Sequence, residues 1–262
     1  DGSAAYSRAG EFKLDRMGNI VTNAGANVMG YPTDNAGNPT STTLQALQLP
    51  TTAPIGAQQT TSMTAEFNLD ARAPVWNAVT PNTPLTTYGT SLTTYDAQGV
   101  AIPTSFYLQK TGNDTWNMFT DPTSAATAVT SSVGTLTFGT NGLLTSAGTA
   151  ALNVTSPNPA IGTFPVTVDL SSVTQYGASF GVSNLTQDGY APGELTGLKI
   201  GEDGVITARY SNGVTQAAGQ LALADFRNVQ GLAPTGGGNW VETFASGQPV
   251  QGSPGQGKLG VL

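Results

Sequence analysis

A chain of 262 residues has room for one large or two modest domains, and two suit the usual domain size of about 100 to 150 residues. With 38% hydrophobic and only 10% charged residues it is not composed like a disordered chain, and its net charge of −7, from 16 acidic and 9 scattered basic residues, argues against nucleic acid as a partner. Cysteine and histidine are both absent, which removes disulfides, thiolate metal sites, the usual Ser or Cys triads and the commonest general base near neutral pH.

Along the chain, 33 Gly and 16 Pro leave few uninterrupted helical windows, so a mainly β fold is expected. A short strand, a turn built on Gly and a returning strand recur at Leu14–Ile20, Thr94–Val100, Thr137–Leu143 and Ile200–Ile206. Thr43–Leu49, stopped by Pro50, is the candidate helix, but Leu44, Leu47 and Leu49 also suit a mixed strand and the segment reads as extended, while Thr51–Pro54 and Pro81–Pro84 read as loops. Ser62–Leu69 has the pattern of a strand, and composition shifts at Leu69–Pro74 toward a segment rich in Pro and Thr. The runs Leu92–Asp96, Thr104–Lys110 and Thr115–Phe119 then form a β-rich middle block that closes near Val166–Leu170 and Gln175–Gly177. Pro122–Ala128, made of small residues, is expected to be an exposed, mobile loop. Further on, Leu198–Ile200 and Val205–Tyr210 form a meander through Asp203-Gly204 and Asn212-Gly213, dipeptides that tolerate positive φ. Ile206, Ala208 and Tyr210 face one side of it and Val205, Thr207 and Arg209 the other. The organisation predicted is two β-rich domains: a discontinuous inner one from 1–70 plus 181–262, and an outer one from 71–180 inserted into it.

Candidate chemistry is sparse. Glu202-Asp203 is an adjacent carboxylate pair, but a tight turn points the two side chains apart and the pair reads as turn chemistry. Asp15–Asn19 and Asp34–Asn38 each offer a single carboxylate, too few for a calcium loop. Gly236-Gly237-Gly238 lacks the Lys-Ser or Lys-Thr that a phosphate cradle requires and reads as a turn. Trp76, Trp116 and Trp240 could form a sugar-stacking platform, but apolar neighbours favour core packing for each, and Arg8 is expected to anchor an ion pair. No catalytic, cofactor-binding or metal-ligating residue is assigned. No apolar run of about 18 residues is present, and Asp1-Gly2-Ser3 has neither a basic nor an apolar signal region.

Three ordered patches carry a family likeness. Thr186-Gln187-Asp188-Gly189-Tyr190-Ala191-Pro192-Gly193, a Gly-turn hairpin and Tyr210-Ser211-Asn212-Gly213-Val214-Thr215-Gln216 form one. Tyr6–Asp15 with Gly18–Thr22 and Val28–Tyr31 form another, and Gly219–Phe226, Gln230–Leu232, Asn239–Thr243 and Ala245–Gly247 the third. Together they resemble the bacterial flagellar hook proteins, and in the middle block Leu92-Thr93-Thr94-Tyr95-Asp96, Val168-Asp169-Leu170 and Gln175-Tyr176-Gly177 match the same family. The resemblance implies a structural subunit and not an enzyme. Identical copies would assemble helically into a curved tube, an extracellular universal joint that passes motor torque to the filament. The partners implied are further copies of the chain and the distal rod, hook cap and hook–filament junction proteins, with no nucleic acid, membrane or cofactor. Such proteins leave the cell through the flagellum's own channel without a cleaved signal, and have long helical termini, so this chain is expected to be a central piece. A distal rod protein is the neighbouring alternative, sharing the first and last patches. A carbohydrate-binding or adhesive β-domain is a more distant one, resting on Trp and Thr content.

Overall fold

Turns of one design set the architecture. The computed structural model describes residues 3–49, 54–76, 84–121, 132–257 and 259–262. Among them, Asp15–Asn19, Thr22–Ala26, Asp34–Asn38, Asp96–Val100, Gly139–Leu143, Gly201–Val205 and Tyr210–Val214 share one hydrogen-bond pattern. The fourth residue donates its N–H to the first carbonyl, and the first N–H donates to the fifth carbonyl. The fourth residue is always Gly with φ between 76° and 96°, and no other residue type has positive φ among the described residues. These are type I turns closed by a Gly bulge, whose left-handed fourth position an L side chain enters only with strain. Asp203 and Asn212 therefore do not take the left-handed conformation that their dipeptides would allow. Instead Asp203 Oδ1 accepts from Val205 N at 3.1 Å and Asn212 Oδ1 from Val214 N at 3.0 Å.

In the first flank these turns join short strands: β1 Tyr6–Ser7, β2 Phe12–Leu14, β3 Ile20–Thr22, β4 Met29–Tyr31 and β5 Gln45–Ala46. Thr43–Leu49 is extended, with Leu47 and Leu49 buried on one side. The middle of the chain holds longer strands: β6 Ser62–Asp70, β7 Gly89–Tyr95, β8 Ala101–Gly112, β9 Thr115–Phe119, β10 Gly134–Thr137, β11 Thr149–Thr155, β12 Thr163–Asp169, β13 Thr174–Tyr176 and β14 Gly181–Gln187. The second flank adds β15 Leu195–Ile200, β16 Val205–Tyr210, β17 Thr215–Leu221, β18 Leu223–Asp225, β19 Ala233–Gly236, β20 Asn239–Val241 and β21 Val250–Gly252. The fold is mainly β, as composition implied; its described helical turns, Leu85–Tyr88 and Val229–Gly231, are both short and 3-10.

The chain packs as two compact units, one of Gly56–Pro192 and one of 1–55 with 193–262. In Gly56–Pro192, β10-β9-β8-β7 form an antiparallel sheet, while β11-β12-β6-β13 form a second in which β14 also pairs with β6. β6 is the centre of this second sheet, parallel to β12 and β13 and antiparallel to β14. The inward residues of both sheets, including Phe67, Phe106, Trp116, Leu152 and Val166, make one continuous core. The compositional break read at Leu69–Pro74 falls inside this unit, because Leu69 and Ala73 belong to its core and Phe180 packs against it. Residues 56–70 and 181–192, read from sequence as part of the flanking domain, are thus held here by backbone pairing.

In the other unit, β15-β16-β17-β4-β5 form a sheet, with β15 to β17 the expected meander. Ile206, Ala208 and Tyr210 are buried along one side and join Ile20, Leu47, Leu49 and Leu221 in a smaller core. β1 and β19 flank β20, so the first and third patches meet in one three-stranded sheet, where the Tyr6 and Phe226 rings stand edge to face at 4.8 Å. Pro122–Ala128 lies outside the described residues, as do most of Thr51–Pro54 and Pro81–Pro84.

Candidate functional site

A dense polar arrangement lies where the chain enters and leaves the Gly56–Pro192 unit. Gln58 and Tyr190 form a reciprocal antiparallel bridge, and Gln58 Nε2 donates to the Asp188 carbonyl at 2.8 Å. Thr60 is fully buried; its hydroxyl donates to Gln187 Oε1 at 2.9 Å and accepts from Tyr95 N at 2.9 Å. Asp188 Oδ1 accepts from Thr61 N at 2.8 Å and Ser62 N at 3.0 Å, and its Oδ2 from Thr61 Oγ1 at 2.6 Å. Partial burial pulls the Asp188 pKa upward, but the hydrogen bonds from Thr61 and Ser62 outweigh it and hold the carboxyl below the usual range. Gly189 is required by proximity, since a Cβ there would lie 2.3 Å from Thr60 Oγ1 and 2.7 Å from Thr60 N. Each residue of the Gln-Asp-Gly block thus fastens the departing strand to the arriving one.

A neighbouring turn completes this end of the unit. Asp96, fully buried, accepts from Gln98 N and Val100 N and from Ser156 Oγ at 2.7 Å. The Ser156 hydrogen bond is the chief cause of a lowered Asp96 pKa, so a charge-assisted bond ties the β7–β8 turn to the segment after β11. A Cβ on Gly99 would meet Pro192 Cδ at 2.6 Å and Ala57 Cβ at 2.9 Å, so the turn seats directly on both chain crossings. What this arrangement does is hold two backbone segments in fixed register. In the other unit, Ile55 and Gly193 form an antiparallel bridge. There Glu194 N donates to Ser211 Oγ and Ser211 N to the Glu194 carbonyl, and the missing Cβ of Gly193 makes room for the Asn212 amide.

The sequence-derived candidates are dispersed. Glu202 and Asp203 are exposed on the β15–β16 turn. Asp15 and Asp34 spend their oxygens inside their own turns, Asp15 on Met17 N and on the backbone and side-chain amides of Asn19. Asp34 does the same with Ala36 and Asn38. No cluster of three or more potential metal ligands occurs among the described residues. Gly236, Gly237 and Gly238 make the exposed β19–β20 turn, all at positive φ. Arg8 is exposed and forms no ion pair with a described residue; the pair found joins Arg72 to Asp70 at 2.9 Å, holding the Asp70 carboxyl at about 2. Trp116 is the core residue expected of it, fully buried with Nε1 donating to Gln175 Oε1 at 2.6 Å. Trp76 and Trp240 are only half-buried, the first beside an exposed stretch and the second on the middle strand of a small sheet, so neither has a core to enter.

Comparison with known proteins decides what these parts belong to. A family model described as "Flagellar basal body protein FlaE D2 domain" matches residues 68–190. The flagellar hook protein FlgE of Escherichia coli is 34% identical over 276 residues and that of Salmonella typhimurium 36% over 274, each covering 100% of this chain. The chain belongs to the flagellar hook protein family. It spans 66% of the length of those two hook proteins. The crystal structure of Helicobacter pylori flagellar hook protein FlgE2 has a similar fold, with a TM-score of 0.62 over 93% of this chain and 87% of that one at 15% identity.

Within this hook-family chain, the residues that sequence reading missed are those defined by distant partners. Lys110 is buried, and its Nζ donates to the carbonyls of Ala71 at 2.5 Å and Ala73 at 3.2 Å, 6.0 Å from the Trp116 ring centre. Burial pushes its pKa down, against the upward pull of Asp114 and Asp70. Gln175, quoted from the motif but given no task, accepts from Trp116 and donates to Asp114 Oδ1 at 2.9 Å. A lysine and a glutamine inside apolar strand patterns were the available signal.

Proposed function

We propose that this chain is the structural subunit of the extracellular bacterial flagellar hook: identical copies assemble into a curved helical tube that passes motor torque to the filament while bending. The observation that carries this reading is agreement along the whole chain with curated hook proteins of two bacteria, at 34% and 36% identity. The role is mechanical, with no reactive centre assigned. The partners in this reading are further copies of the chain and, at the ends of the tube, the distal rod, hook cap and hook–filament junction proteins. The unit built from the two flanks is the inner part of the wall, and Gly56–Pro192 the outer part.

The surface supports a wall whose neighbours shift. Thr149, Ala151, Asn153 and Thr155 on β11, with Thr163 and Thr167 on β12, present an uncharged outward face. Such groups exchange hydrogen bonds with water and with neighbouring copies at modest cost. Contacts between unlike faces that do not close into a ring generate an open helical lattice.

Electron microscopy of the full-length protein, concentrated over a series of salt concentrations, tests the reading. Curved tubes are expected; a folded monomer throughout would refute it. A variant with residues 56–192 replaced by a short turn tests the division into units. The flanks should stay folded, and their global unfolding would contradict that division.

A further inference from the structure

One side chain and one groove of the flanking unit fit each other's description. Phe244 is fully exposed, at 106% of its reference area. It sits on a stiff turn: Ser246, completely buried, bonds Thr243 through both its N–H and its hydroxyl, and Thr243 Oγ1 donates to the Gly231 carbonyl. Asn228 Nδ2 donates to the Ala245 carbonyl, and a Cβ on Gly231 would lie 2.5 Å from the Ala245 carbonyl carbon, so two turns are pressed together beneath the ring. A phenyl ring carried on a braced turn with its whole apolar area in water gains free energy wherever a partner covers it.

The groove lies between the β2–β3 hairpin and the β15–β16 hairpin. It has a volume of about 230 Å³ and is lined by Phe12, Lys13, Leu14, Leu198, Ile200 and Ile206. An apolar cavity of about 150 Å³ accepts a benzene ring, so this one has room for a phenyl group. Leu14, Leu198 and Ile200 remain 37 to 40% exposed, so the described residues leave the groove uncovered. Charge also matches. Lys13 stands at the groove and Glu242 stands two residues before Phe244, both exposed and neither ion-paired to a described residue.

We propose that Phe244 of one copy seats in the Phe12–Ile206 groove of the next copy in the hook wall, with Glu242 facing Lys13. This rests on the hook-subunit reading and names a contact within it. Knob and hole are different patches of the chain, so the contact is heterologous, the kind from which an open helical lattice is built when its rotation does not close.

None of these 262 residues is cysteine, so thiols introduced into them have no native neighbour within this part of the protein. Full-length chains carrying Gly10→Cys, at a position that also lines the groove and where an added Cβ meets nothing within 4 Å, are copolymerised with chains carrying Ala245→Cys, which keep Phe244 intact. A short bismaleimide should link the two in tubes and not in dilute monomer, while Ser183→Cys paired with Ala245→Cys stays unlinked. Tubes without the 10–245 link would overturn the proposal and leave the hook reading standing; failure of the unmodified protein to form tubes would remove both. As a second measurement, Phe244→Ser should raise the concentration needed for polymerisation about tenfold while Phe244→Leu stays near the original, with the monomer's melting unchanged. Equal polymerisation by both would also overturn it.

Discussion

The two units are of similar length and share the same turn chemistry, yet they are stabilised differently. Among the described residues, Gly56–Pro192 gathers nineteen buried apolar side chains from its two sheets and their connections into one cluster, with aromatic contacts such as Tyr88 on Trp116 at 5.2 Å. The flanking unit gathers seven and leaves Met29, Leu198, Ile200 and Phe244 exposed, whereas the large apolar side chains exposed on Gly56–Pro192, such as Leu143 and Tyr176, are fewer among the described residues. Its small sheets depend on turns and local hydrogen bonds. A unit with a large core is complete alone, whereas one that leaves apolar side chains uncovered gains stability from neighbours.

Substitutions can break that contrast. The largest effect is expected at Trp116: Trp116→Ala should cost about 3–5 kcal/mol, because it opens a cavity at the core's centre and leaves Gln175 without its indole partner. Chemical denaturation checks this, and a loss below about 1 kcal/mol would contradict the assignment of the core. Ile206→Ala in the smaller core should cost about 2–3 kcal/mol, since fewer side chains surround the cavity and they can relax into it. Amide exchange should place that loss in the flanking unit and leave β6 and β12 unchanged.

Glycine variants sharpen the same point at the chain crossing. Gly189→Ala drives a methyl group into Thr60 and should cost about 1–3 kcal/mol, whereas Gly213→Ala, at φ 84° with open space around it, should cost about 1 kcal/mol of backbone strain. Equal losses would mean that the close approach at Thr60 is not constraining. The smallest change is expected for Asp188→Asn, about 1 kcal/mol at neutral pH, for hydrogen bonds to a carboxylate that water also reaches. Because its folded pKa lies below the unfolded value, Asp188 contributes fully above about pH 4 and loses that contribution as pH falls through the folded value. A denaturation series from neutral to acid should therefore show the variant and the original converging; a gap constant with pH would contradict the role given to this carboxylate.

Much of this was legible in the chain. The hairpins at Leu14–Ile20 and Ile200–Ile206 could be read because a Gly at the fourth turn position and an Asp or Asn near it are local signals, as is the alternation that buries Ile206, Ala208 and Tyr210. The turn type was not, since Asp-Gly and Asn-Gly suit more than one geometry until the strand register chooses. The limits of the compact units escaped for a different reason. β6 reads as a strand by itself, but its partners β12, β13 and β14 lie more than ninety residues downstream, and composition carries no record of that pairing. The motif blocks marked the family before their work was visible. Only the folded chain brings Gln187 and Asp188 onto Thr60 and Thr61, or shows that Trp76 and Trp240 stay half-buried where Trp116 does not.

The sharpest measurement is amide hydrogen exchange on the full-length protein as monomer and as assembled tube. Exchange should slow on assembly at Phe12–Leu14, Leu198–Ile200 and Thr243–Ser246, while the β6 and β12 amides, already slow in the monomer, change little. Exchange at those three segments equal in tube and monomer would contradict the view that neighbouring copies complete the flanking unit.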